Sequence, residues 1–332
     1  MKTYTITGGA GFIGSHLSEY LLFQGHRVNV IDDLSTGSYE NIRHLACNPN
    51  FHFTRDTITN AIVLDRLMSQ GDIVIHLAAA VGVQLVLDQP VQVLKTNILG
   101  TEAVLETALR YRTKVLLAST SEVYGKNPNE PFREDDDVVL GCTIKSRWSY
   151  AATKLVDEFL ALAFNEEYGV PVCAFRLFNT VGPRQSADYG MVIPRFVRQA
   201  LAGKPLTVYG DGCQRRCFMH VADAVRAVDA LEQITPNDHK IFNIGTTTPL
   251  TILELAHRVL AVVHPGDDPE RHIAYVPYET AFTRKNFEDM FSRLPDISRI
   301  HAATGWEPTI GIDKIISDVV DYYRSQGDRV KF

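Results

Sequence analysis

The chain has 332 residues, 45% of them hydrophobic, and a formal net charge of −6. This is enough apolar sequence for a large core in one or two domains. The net charge is negative and no segment of the sequence forms a basic patch, so nucleic-acid binding is not expected. No run of 18 apolar residues predicts a membrane span. A strand pattern begins directly after the N-terminus and leaves no room for a signal peptide, so a cytoplasmic protein is expected.

The five cysteines are scattered along the chain and odd in number, which argues against a disulfide framework. Cys213 and Cys217 lack the adjacent second pair of ligands that a zinc site needs. We therefore expect neither a structural disulfide nor a metal site.

The most informative pattern lies at residues 3–17, where an apolar strand runs into a glycine turn and then into a helix over residues 17–24. Gly8 suits the backbone angles of a tight turn, Gly11 lets the chain touch a pyrophosphate, and Gly14 allows close helix-on-strand packing. The helix N-terminus adds amide donors and the positive end of a dipole. Glycines also serve plain turns, but this order of elements favours a dinucleotide site.

A second apolar strand, over residues 27–31, ends in Asp32 and Asp33. An acid at this place, roughly 20 residues after the glycines, suits the ribose hydroxyls of NAD and repels the 2′-phosphate of NADP. The sequence therefore predicts NAD, with Asp32 as the ribose ligand. The alternative is that both acids merely open a loop.

Strands and helices then alternate as a parallel sheet requires. A buried strand over residues 72–80 ends in small side chains that let the backbone lie against a cofactor. The pattern next predicts a helix opening at residues 96–101 and running to 111, strand 114–119, helix 152–168, strand 170–178, helix 253–263 and a last helix near 313–324.

Tyr150 and Lys154 form a candidate catalytic pair. They lie four positions apart and so share a helix face. An ammonium near a phenol lowers the pKa of the phenol toward working pH, and a phenolate is a suitable base for an alcohol that is being oxidised. A plain surface pair is the better interpretation in isolation. The preceding nucleotide pattern and the run Ser119–Gly125 favour a catalytic pair.

In combination these motifs resemble the extended short-chain dehydrogenase/reductase family of sugar-nucleotide epimerases, dehydratases and decarboxylases. The resemblance covers nearly the whole chain. It rests on residues 8–14, Asp32, residues 77–79, 119–125 and 150–154, and continues through residues 176–184, 206–212, 214–218, 242–245 and 305–308.

The resemblance implies an α/β fold, a Rossmann-type doubly wound parallel sheet with a smaller C-terminal substrate lobe. It places the NAD-binding domain at residues 1–178, with 218–245 returning to it, and the UDP-sugar lobe at residues 179–217 and 246–332. It also implies a homodimer paired through helices near residues 98–111 and 152–168.

A tightly held NAD, reduced and reoxidised within one turnover, is implied as well. Thr120 would bond the sugar 4-hydroxyl, Tyr150 remove its proton, and Lys154 hold the nicotinamide ribose and tune Tyr150. Asp56 matches a position facing adenine, although it could be a loop acid. The implied cofactor-binding residues are Gly8, Gly11, Phe12, Ile13, Gly14, Asp32, Asp56, Leu77, Ala78, Ala79, Asn97 and Lys154.

The implied substrate carries a nucleotide diphosphate, and arginine binds phosphate bidentately. Asn179, Arg216 and Arg293 match positions that grip this diphosphate. The implied catalytic residues are Thr120, Glu122, Tyr150 and Lys154, and the implied substrate-binding residues are Thr120, Ser121, Arg147, Tyr150, Asn179, Arg184, Arg216 and Arg293.

Oxidation of the sugar at C4 opens three branches. With a carboxylate at C5 the intermediate is a β-keto acid that readily loses carbon dioxide. Rotation of the ketone and hydride return to its other face give a 4-epimer. Removal of the C5 proton with loss of a C6 hydroxyl gives a dehydratase.

Three segments favour the carboxylated substrate. Glu122, in the triplet 120–122, resembles UDP-glucuronate decarboxylases. Residues 147–150 resemble the bacterial decarboxylase of the lipid A aminoarabinose pathway and UDP-apiose synthases. Residues 287–289 and 293–297 resemble the segment that carries the active-site arginine of these enzymes.

Other features point away from a simple assignment. Ser121 stands where thymidine-diphosphoglucose dehydratases have Asp. Residues 150–154 lack the acidic insert of UDP-xylose synthases, and residues 77–83 look epimerase-like. We therefore predict UDP-glucuronate decarboxylation to UDP-xylose or a UDP-4-keto-pentose, with a UDP-glucuronate or UDP-hexose 4-epimerase as the alternative. A 4,6-dehydratase and an inactive NAD-binding module are less favoured.

Overall fold

The computed structural model describes residues 1–82, 85, 88–187, 191–234, 240–277, 290 and 293–327. Residues 287–289 and Val83, which entered the sequence argument, lie outside the described residues. The strands, numbered in chain order, are β1 (Thr3–Thr7), β2 (Arg27–Asp32), β3 (Phe51–Arg55), β4 (Ile73–His76), β5 (Lys114–Thr120), β6 (Val172–Leu177), β7 (Thr180–Val181), β8 (Leu206–Tyr209), β9 (Arg215–Cys217), β10 (Met219–His220), β11 (Ile241–Ile244), β12 (Pro249–Thr251) and β13 (Ile273–Val276).

Helices of the described residues, numbered in the same way, alternate with these strands in the first half of the chain. They are α1 (Phe12–Phe23), α2 (Ala61–Met68), α3 (Pro90–Tyr111), α4 (Ser149–Tyr168), α5 (Val192–Leu201), α6 (Val221–Gln233), α7 (Ile252–Val263), α8 (Ser298–Thr304) and α9 (Ile312–Gln326).

Seven strands form the central sheet in the order β11-β6-β5-β4-β1-β2-β3. Every pair in it is parallel. The chain moves outward from β1 to β3 on one side and from β4 onward on the other, so the strand order reverses between β1 and β4. Ligands bind at the carboxyl ends of the strands beside such a reversal. The predicted doubly wound Rossmann-type sheet is confirmed.

Helices cover both faces of the sheet. On one face, Leu17 of α1 and Val225 of α6 pack against Tyr4 and Ile6 of β1. A second cluster joins residues of α2, α3 and α4 to strands β4, β5 and β6. Strands buried on both faces read as continuous apolar runs, which is why the sequence pattern shows them clearly.

A separate core lies in the second half of the chain. Phe196 of α5, Val259 of α7 and Val319 of α9 pack there with Val208 of β8. Strand β11 returns to the central sheet beside β6. Ile300 of α8 also joins the sheet core. The division of the chain into the two units described above stays a proposal.

Several element boundaries differ from the sequence prediction. The helix expected to open at residues 96–101 begins at Pro90, because proline fits the first helical position, where no backbone donor is needed. Helix α1 begins at Phe12, directly at the glycine turn, and α4 begins at Ser149. The strand expected over residues 72–80 ends at His76, the last residue of β4 paired with β1.

Within the described ranges, no helix combines the length and the apolar composition that crossing a bilayer requires.

Candidate active site

The glycine turn joins β1 to α1 at the strand-order reversal. Gly8 has a φ of +72°, and a Cβ there would lie 2.8 Å from the Ala78 backbone nitrogen. A Cβ on Gly14 would strike the carbonyl oxygen of Gly8. Helix α1 starts at Phe12 and, along its fully described length, has no acidic side chain in its first turn. The backbone of the turn is therefore not covered by side chains of its glycines, and no acid in the first turn of α1 neutralises the positive end of the helix dipole. Both features fit the diphosphate of NAD.

Asp32, the last residue of β2, is buried and braces this turn. Its carboxylate accepts hydrogen bonds from the amides of Ala10, at 3.0 Å, and Leu34, at 2.8 Å. Burial raises the pKa of Asp32, and these amides oppose the rise. Asp33 accepts from the Ser35 amide at 2.8 Å. Both acids thus bond amides of the loop that follows β2, as the loop-opening interpretation expects. Ribose binding by Asp32 stays a prediction.

Other candidate cofactor residues follow the neighbouring strands. Asp56 comes directly after β3 and accepts from the Thr57 amide at 2.8 Å and the Asn60 side chain at 3.1 Å. Leu77, Ala78 and Ala79 follow β4. These positions meet at the carboxyl edge of the sheet.

Asn97 of α3 is buried and links two parts of the site. Its side-chain oxygen accepts from the Ala80 amide at 2.8 Å, and its side-chain nitrogen donates to the Thr153 hydroxyl at 3.0 Å. Asn97 therefore fixes α4, which carries Tyr150 and Lys154, against the end of β4.

Tyr150 lies in the first turn of α4 and is 8% exposed. Burial raises its pKa, and the negative charges of Glu122 and Asp157 raise it further. Arg147 and a hydrogen bond with Thr120 act in the opposite direction. The sequence argument expected a lowered pKa, so the net direction is opposite to that expectation. The reason is that burial and the two carboxylates outweigh Arg147 and the hydrogen bond with Thr120.

Glu122 lies between two arginines. Arg147 Nη1 donates to one carboxylate oxygen, and Arg293 Nη1 donates to the other at 3.3 Å. Burial alone would raise the pKa of Glu122, but the two guanidinium groups lower it to about 2. Glu122 is therefore ionised at neutral pH. Two cations and one anion leave a net positive cluster, which attracts an anionic group of a ligand.

Three separated segments build this cluster. Glu122 sits in a short turn directly after β5, Arg147 precedes α4, and Arg293 comes from the second half of the chain. The Arg293 segment is held by two backbone bonds of Phe132, which donates to the Leu294 carbonyl and accepts from the Asp296 amide, both at 2.8 Å.

The remaining predicted substrate residues lie in different places. Ser121 is almost fully buried beside Glu122. Asn179 donates to the Cys217 carbonyl at 3.0 Å, next to Arg216 of β9, which donates to the Met290 carbonyl at 2.7 Å. The structure thus brings Asn179 and the strand of Arg216 together.

Arg184 contacts helix α1. It donates to Glu19 of α1 at 2.6 Å and to the Ser15 hydroxyl at 3.3 Å. These contacts place its guanidinium against α1 and not against the Glu122 carboxylate. Its role in substrate binding stays a prediction.

The sequence analysis did not predict Asp157 as a site residue. It is fully buried, and its carboxylate accepts from the Lys154 ammonium at 3.1 Å. Its position three residues after Lys154 on the same helix is the signal that could have found it.

Comparison with known proteins gives the family. The model of the GDP-mannose 4,6 dehydratase family matches residues 5–319. The UDP-N-acetyl-alpha-D-glucosaminuronate decarboxylase of Bacillus cytotoxicus is 38% identical over 324 residues, 97% of this chain and 98% of that protein. The UDP-glucuronic acid decarboxylase 1 of Arabidopsis thaliana is 39% identical over 318 residues, 94% of this chain and 68% of that protein.

Solved structures agree with this family. The UDP-glucuronic acid 4-epimerase from Bacillus cereus, in complex with UDP-glucuronic acid and NAD, superposes with a TM-score of 0.86 at 28% identity and covers 97% of this chain and 99% of its own. DesIV, the dTDP-glucose 4,6-dehydratase from Streptomyces venezuelae, gives 0.88 at 27% identity, with 99% of each chain covered. The chain therefore belongs to the GDP-mannose 4,6 dehydratase family, within the extended short-chain dehydrogenase/reductase group that its sequence resembles.

Proposed function

We propose that the chain is an NAD-dependent decarboxylase of a UDP-hexuronate, with UDP-glucuronate as its substrate. The observation that carries this proposal is the Glu122 cluster near Tyr150, in which the two charges of Arg147 and Arg293 exceed the one charge of Glu122. A sugar carboxylate at C5 and a hydroxyl at C4 are neighbours, so one sugar ring can meet both groups. The curated relatives described above are named as decarboxylases of UDP-hexuronates.

The residues that would hold NAD are those of the glycine turn, Asp32, Asp56, the segment after β4, and Lys154. They fit because the turn is open to a diphosphate and Asp32 ends β2 beside it. Bound NAD supplies reversible hydride acceptance from C4 of the sugar. We propose that NAD is preferred over NADP, since Asp32 repels a 2′-phosphate.

Tyr150 and Thr120 act on the sugar 4-hydroxyl in this proposal. Thr120 holds the hydroxyl, and Tyr150 accepts its proton as the C–H bond at C4 is broken. Tyr150 is protonated in its described surroundings, because burial and nearby carboxylates raise its pKa. Lys154 and Thr120 must therefore stabilise the phenolate form that acts as the base.

The carboxylate leaves once C4 is a ketone. The electron pair of the bond between C5 and the carboxyl carbon moves into the enolate of the ketone, and carbon dioxide departs. Arg147 and Arg293 orient the substrate anion for this step. Because Glu122 is ionised, it positions water or another donor for the protonation at C5 and is not itself the proton source. A hydride returned to C4 would give UDP-xylose, whereas a UDP-4-keto-pentose would leave together with NADH if the hydride were not returned.

A 4-epimerase is the second candidate. The structural likeness to a UDP-glucuronic acid 4-epimerase favours it, because Tyr150, Lys154 and the NAD-binding turn would serve both reactions. The two reactions separate only after oxidation at C4.

Product analysis distinguishes them. The full chain is incubated with NAD and, in separate reactions, UDP-glucuronate, UDP-N-acetylglucosaminuronate and UDP-glucose, and products are identified by NMR. We expect a UDP-pentose or UDP-4-keto-pentose from UDP-glucuronate and no conversion of UDP-glucose. Formation of UDP-galacturonate alone would support the epimerase, and conversion of only the N-acetylated substrate would move the assignment to that sugar.

We also propose a homodimer that pairs through α3 and α4. Apolar side chains of both helices are exposed, and among them Phe159 of α4 is 69% exposed and lies on the same helix as Val156. Covering these side chains would remove apolar surface from water. Analytical ultracentrifugation of wild type and Phe159→Glu tests this, with a dimer expected for the former and a monomer for the latter. The cytoplasmic location expected from the sequence stays a prediction.

A further inference from the structure

We propose that Asp157 is a positioning residue, which fixes the Lys154 ammonium and sets through its charge how readily Tyr150 gives up its proton. This inference rests on the proposed function, in which Tyr150 is the base. Asp157 does not contact the sugar in this proposal. It acts only through Lys154 and through its electric field at the phenol.

The first argument is the buried ion pair itself. Lys154 Nζ lies 3.1 Å from Asp157 Oδ2, and the two residues are 3% and 0% exposed. Both project from α4 three residues apart. A buried ammonium with a buried counterion has little freedom to move, and loss of one partner leaves an uncompensated charge. Asp157 therefore determines where the Lys154 charge sits relative to Tyr150.

A chain of hydrogen bonds leads from the segment after β4 to Thr101 of α3. The Ala78 amide donates to the Thr7 hydroxyl at 3.2 Å, and that hydroxyl can then donate to His76 Nδ1 at 2.7 Å. Burial and, to a smaller extent, the charge of Lys154 lower the pKa of His76 to about 3, so the ring is neutral. A neutral ring that accepts at Nδ1 donates at Nε2, which lies 3.1 Å from the Thr101 hydroxyl.

The chain of hydrogen bonds ends at Thr101, and two groups act to lower the pKa of Asp157. Burial raises the pKa of Asp157, while Lys154 and the Thr101 hydroxyl oppose the rise. The Lys154 ammonium and the Thr101 hydroxyl thus both favour the charged form of the Asp157 carboxylate.

Packing alone does not account for Asp157. Its second oxygen, Oδ1, is buried and has no hydrogen-bond partner in the part of the chain that the structure describes. A buried carboxylate oxygen without a partner costs free energy, about 1–3 kcal/mol for a typical polar group. An apolar side chain of similar size would avoid this cost, so the negative charge, which pairs with the Lys154 ammonium, is the feature whose effect on Tyr150 needs an explanation.

The charges around Tyr150 give that explanation. Glu122 faces the phenol from the turn after β5 and is compensated by Arg147 and Arg293. Asp157 faces it from α4 and is compensated by Lys154. The neighbouring acid on the helix, Glu158, is paired with Arg176 of β6, at 2.8 Å and 3.0 Å. Besides these groups, the uncharged Thr101 hydroxyl acts on Asp157, and neutral His76 bonds that hydroxyl.

It follows that the charge of Asp157 opposes formation of the phenolate. Removing the negative charge while keeping the shape, as in Asp157→Asn, removes this opposition. The phenolate should then form more easily. Glu158→Gln is the matched control, because it neutralises the adjacent buried acid of the same helix, whose partner is Arg176.

The experiment measures the ionisation of Tyr150 directly. The full chain, with NAD added, carries ¹³C at the tyrosine ring carbon that bears oxygen, and the Tyr150 signal is identified from its absence in Tyr150→Phe. Over a pH titration, Asp157→Asn should raise the ratio of tyrosinate to tyrosine about tenfold at a given pH. Glu158→Gln should change the ratio by less than about twofold. An unchanged or lowered ratio in Asp157→Asn, or an equal rise in Glu158→Gln, overturns the proposal.

Two further measurements keep the test decisive. If Asp157→Asn does not fold, Asp157→Ser is titrated in its place with the same expectation. In turnover assays the acid limb of the kcat profile should move to lower pH in Asp157→Asn with KM for the UDP-sugar within about twofold of wild type. If wild type releases no carbon dioxide, the proposed decarboxylation fails, while the NMR titration still decides the role of Asp157.

Discussion

Arg293 Nη1 lies 3.3 Å from Glu122 Oε1, although 171 positions separate the two residues in the chain. Glu122 follows a strand of the central sheet, whereas Arg293 belongs to the second half of the chain. Phe132 anchors the Arg293 segment through backbone hydrogen bonds. The positive cluster beside Tyr150 is therefore complete only when both halves of the chain are folded together.

This relationship predicts separate effects of Glu122 on two steps. In Glu122→Gln, oxidation at C4 should be spared more than loss of carbon dioxide, because only the later transition state uses Glu122. We expect transient NADH absorbance within about tenfold of wild type and a fall in carbon dioxide release of about 10²-fold. Stopped-flow absorbance beside gas release measures both. Equal losses in the two signals would show that Glu122 acts already in oxidation.

Removal of the Tyr150 hydroxyl should affect oxidation itself. Tyr150→Phe is expected to bind the UDP-sugar and to lose turnover by about 10²-fold or more, because the group that takes the 4-hydroxyl proton is gone. Steady-state kinetics, with binding followed by calorimetry, test this. A rate near that of wild type would remove Tyr150 from the mechanism.

Cofactor choice should depend on Asp32. We expect NAD to bind at least tenfold more tightly than NADP, a difference of about 1.4 kcal/mol or more, because a carboxylate repels the 2′-phosphate. Asp32→Asn should reduce this ratio. Asp33→Asn serves as the control, since Asp33 is exposed and bonds the Ser35 amide. Equal affinities for the two cofactors in calorimetry of stripped wild-type protein would contradict the prediction.

Burial of His76 predicts a pH dependence of stability. Its pKa falls from 6.5 to about 3 in the folded chain, first through burial and then through Lys154. Below pH 6.5 the unfolded chain therefore binds a proton at His76, whereas the folded chain binds it only near pH 3. The contribution of His76 to the free energy of unfolding is thus fully present above pH 6.5 and is lost as the pH falls toward 3.

Chemical denaturation measures this contribution. Relative to about pH 8, wild type should lose about 2 kcal/mol more stability at roughly pH 5 than His76→Gln does. His44→Gln is the control, because His44 is exposed, and it should follow wild type. A His76→Gln variant with the wild-type pH dependence would show that His76 is already protonated in the folded chain.

Much of the site could be predicted from sequence because its residues belong to local patterns. The glycine turn and Asp32 follow strands with continuous apolar runs, and Tyr150 and Lys154 share a helix face. Helix starts were harder to place, since Pro90 begins α3 upstream of the polar residues that suggested a start.

The rest depends on tertiary packing. The raised pKa of Tyr150 comes from burial and from Glu122, which lies in another segment. The contact of Arg184 with Glu19 joins two distant parts of the chain. The spacing of residues along the chain predicts neither the burial of a side chain nor a contact between distant segments. The sequence alone therefore predicted a lowered pKa for Tyr150 and did not predict the contact of Arg184 with Glu19.

The most direct test of the proposed function follows the carboxyl carbon of the sugar. UDP-glucuronate labelled at C6 is incubated with the full chain and NAD, and labelled carbon dioxide is counted beside the remaining UDP-sugars, with Tyr150→Phe as the control. We predict release of labelled carbon dioxide in step with loss of UDP-glucuronate for wild type and about 10²-fold slower release for Tyr150→Phe. Interconversion of UDP-glucuronate and UDP-galacturonate with the label retained in the sugar would contradict the decarboxylase assignment and establish the epimerase.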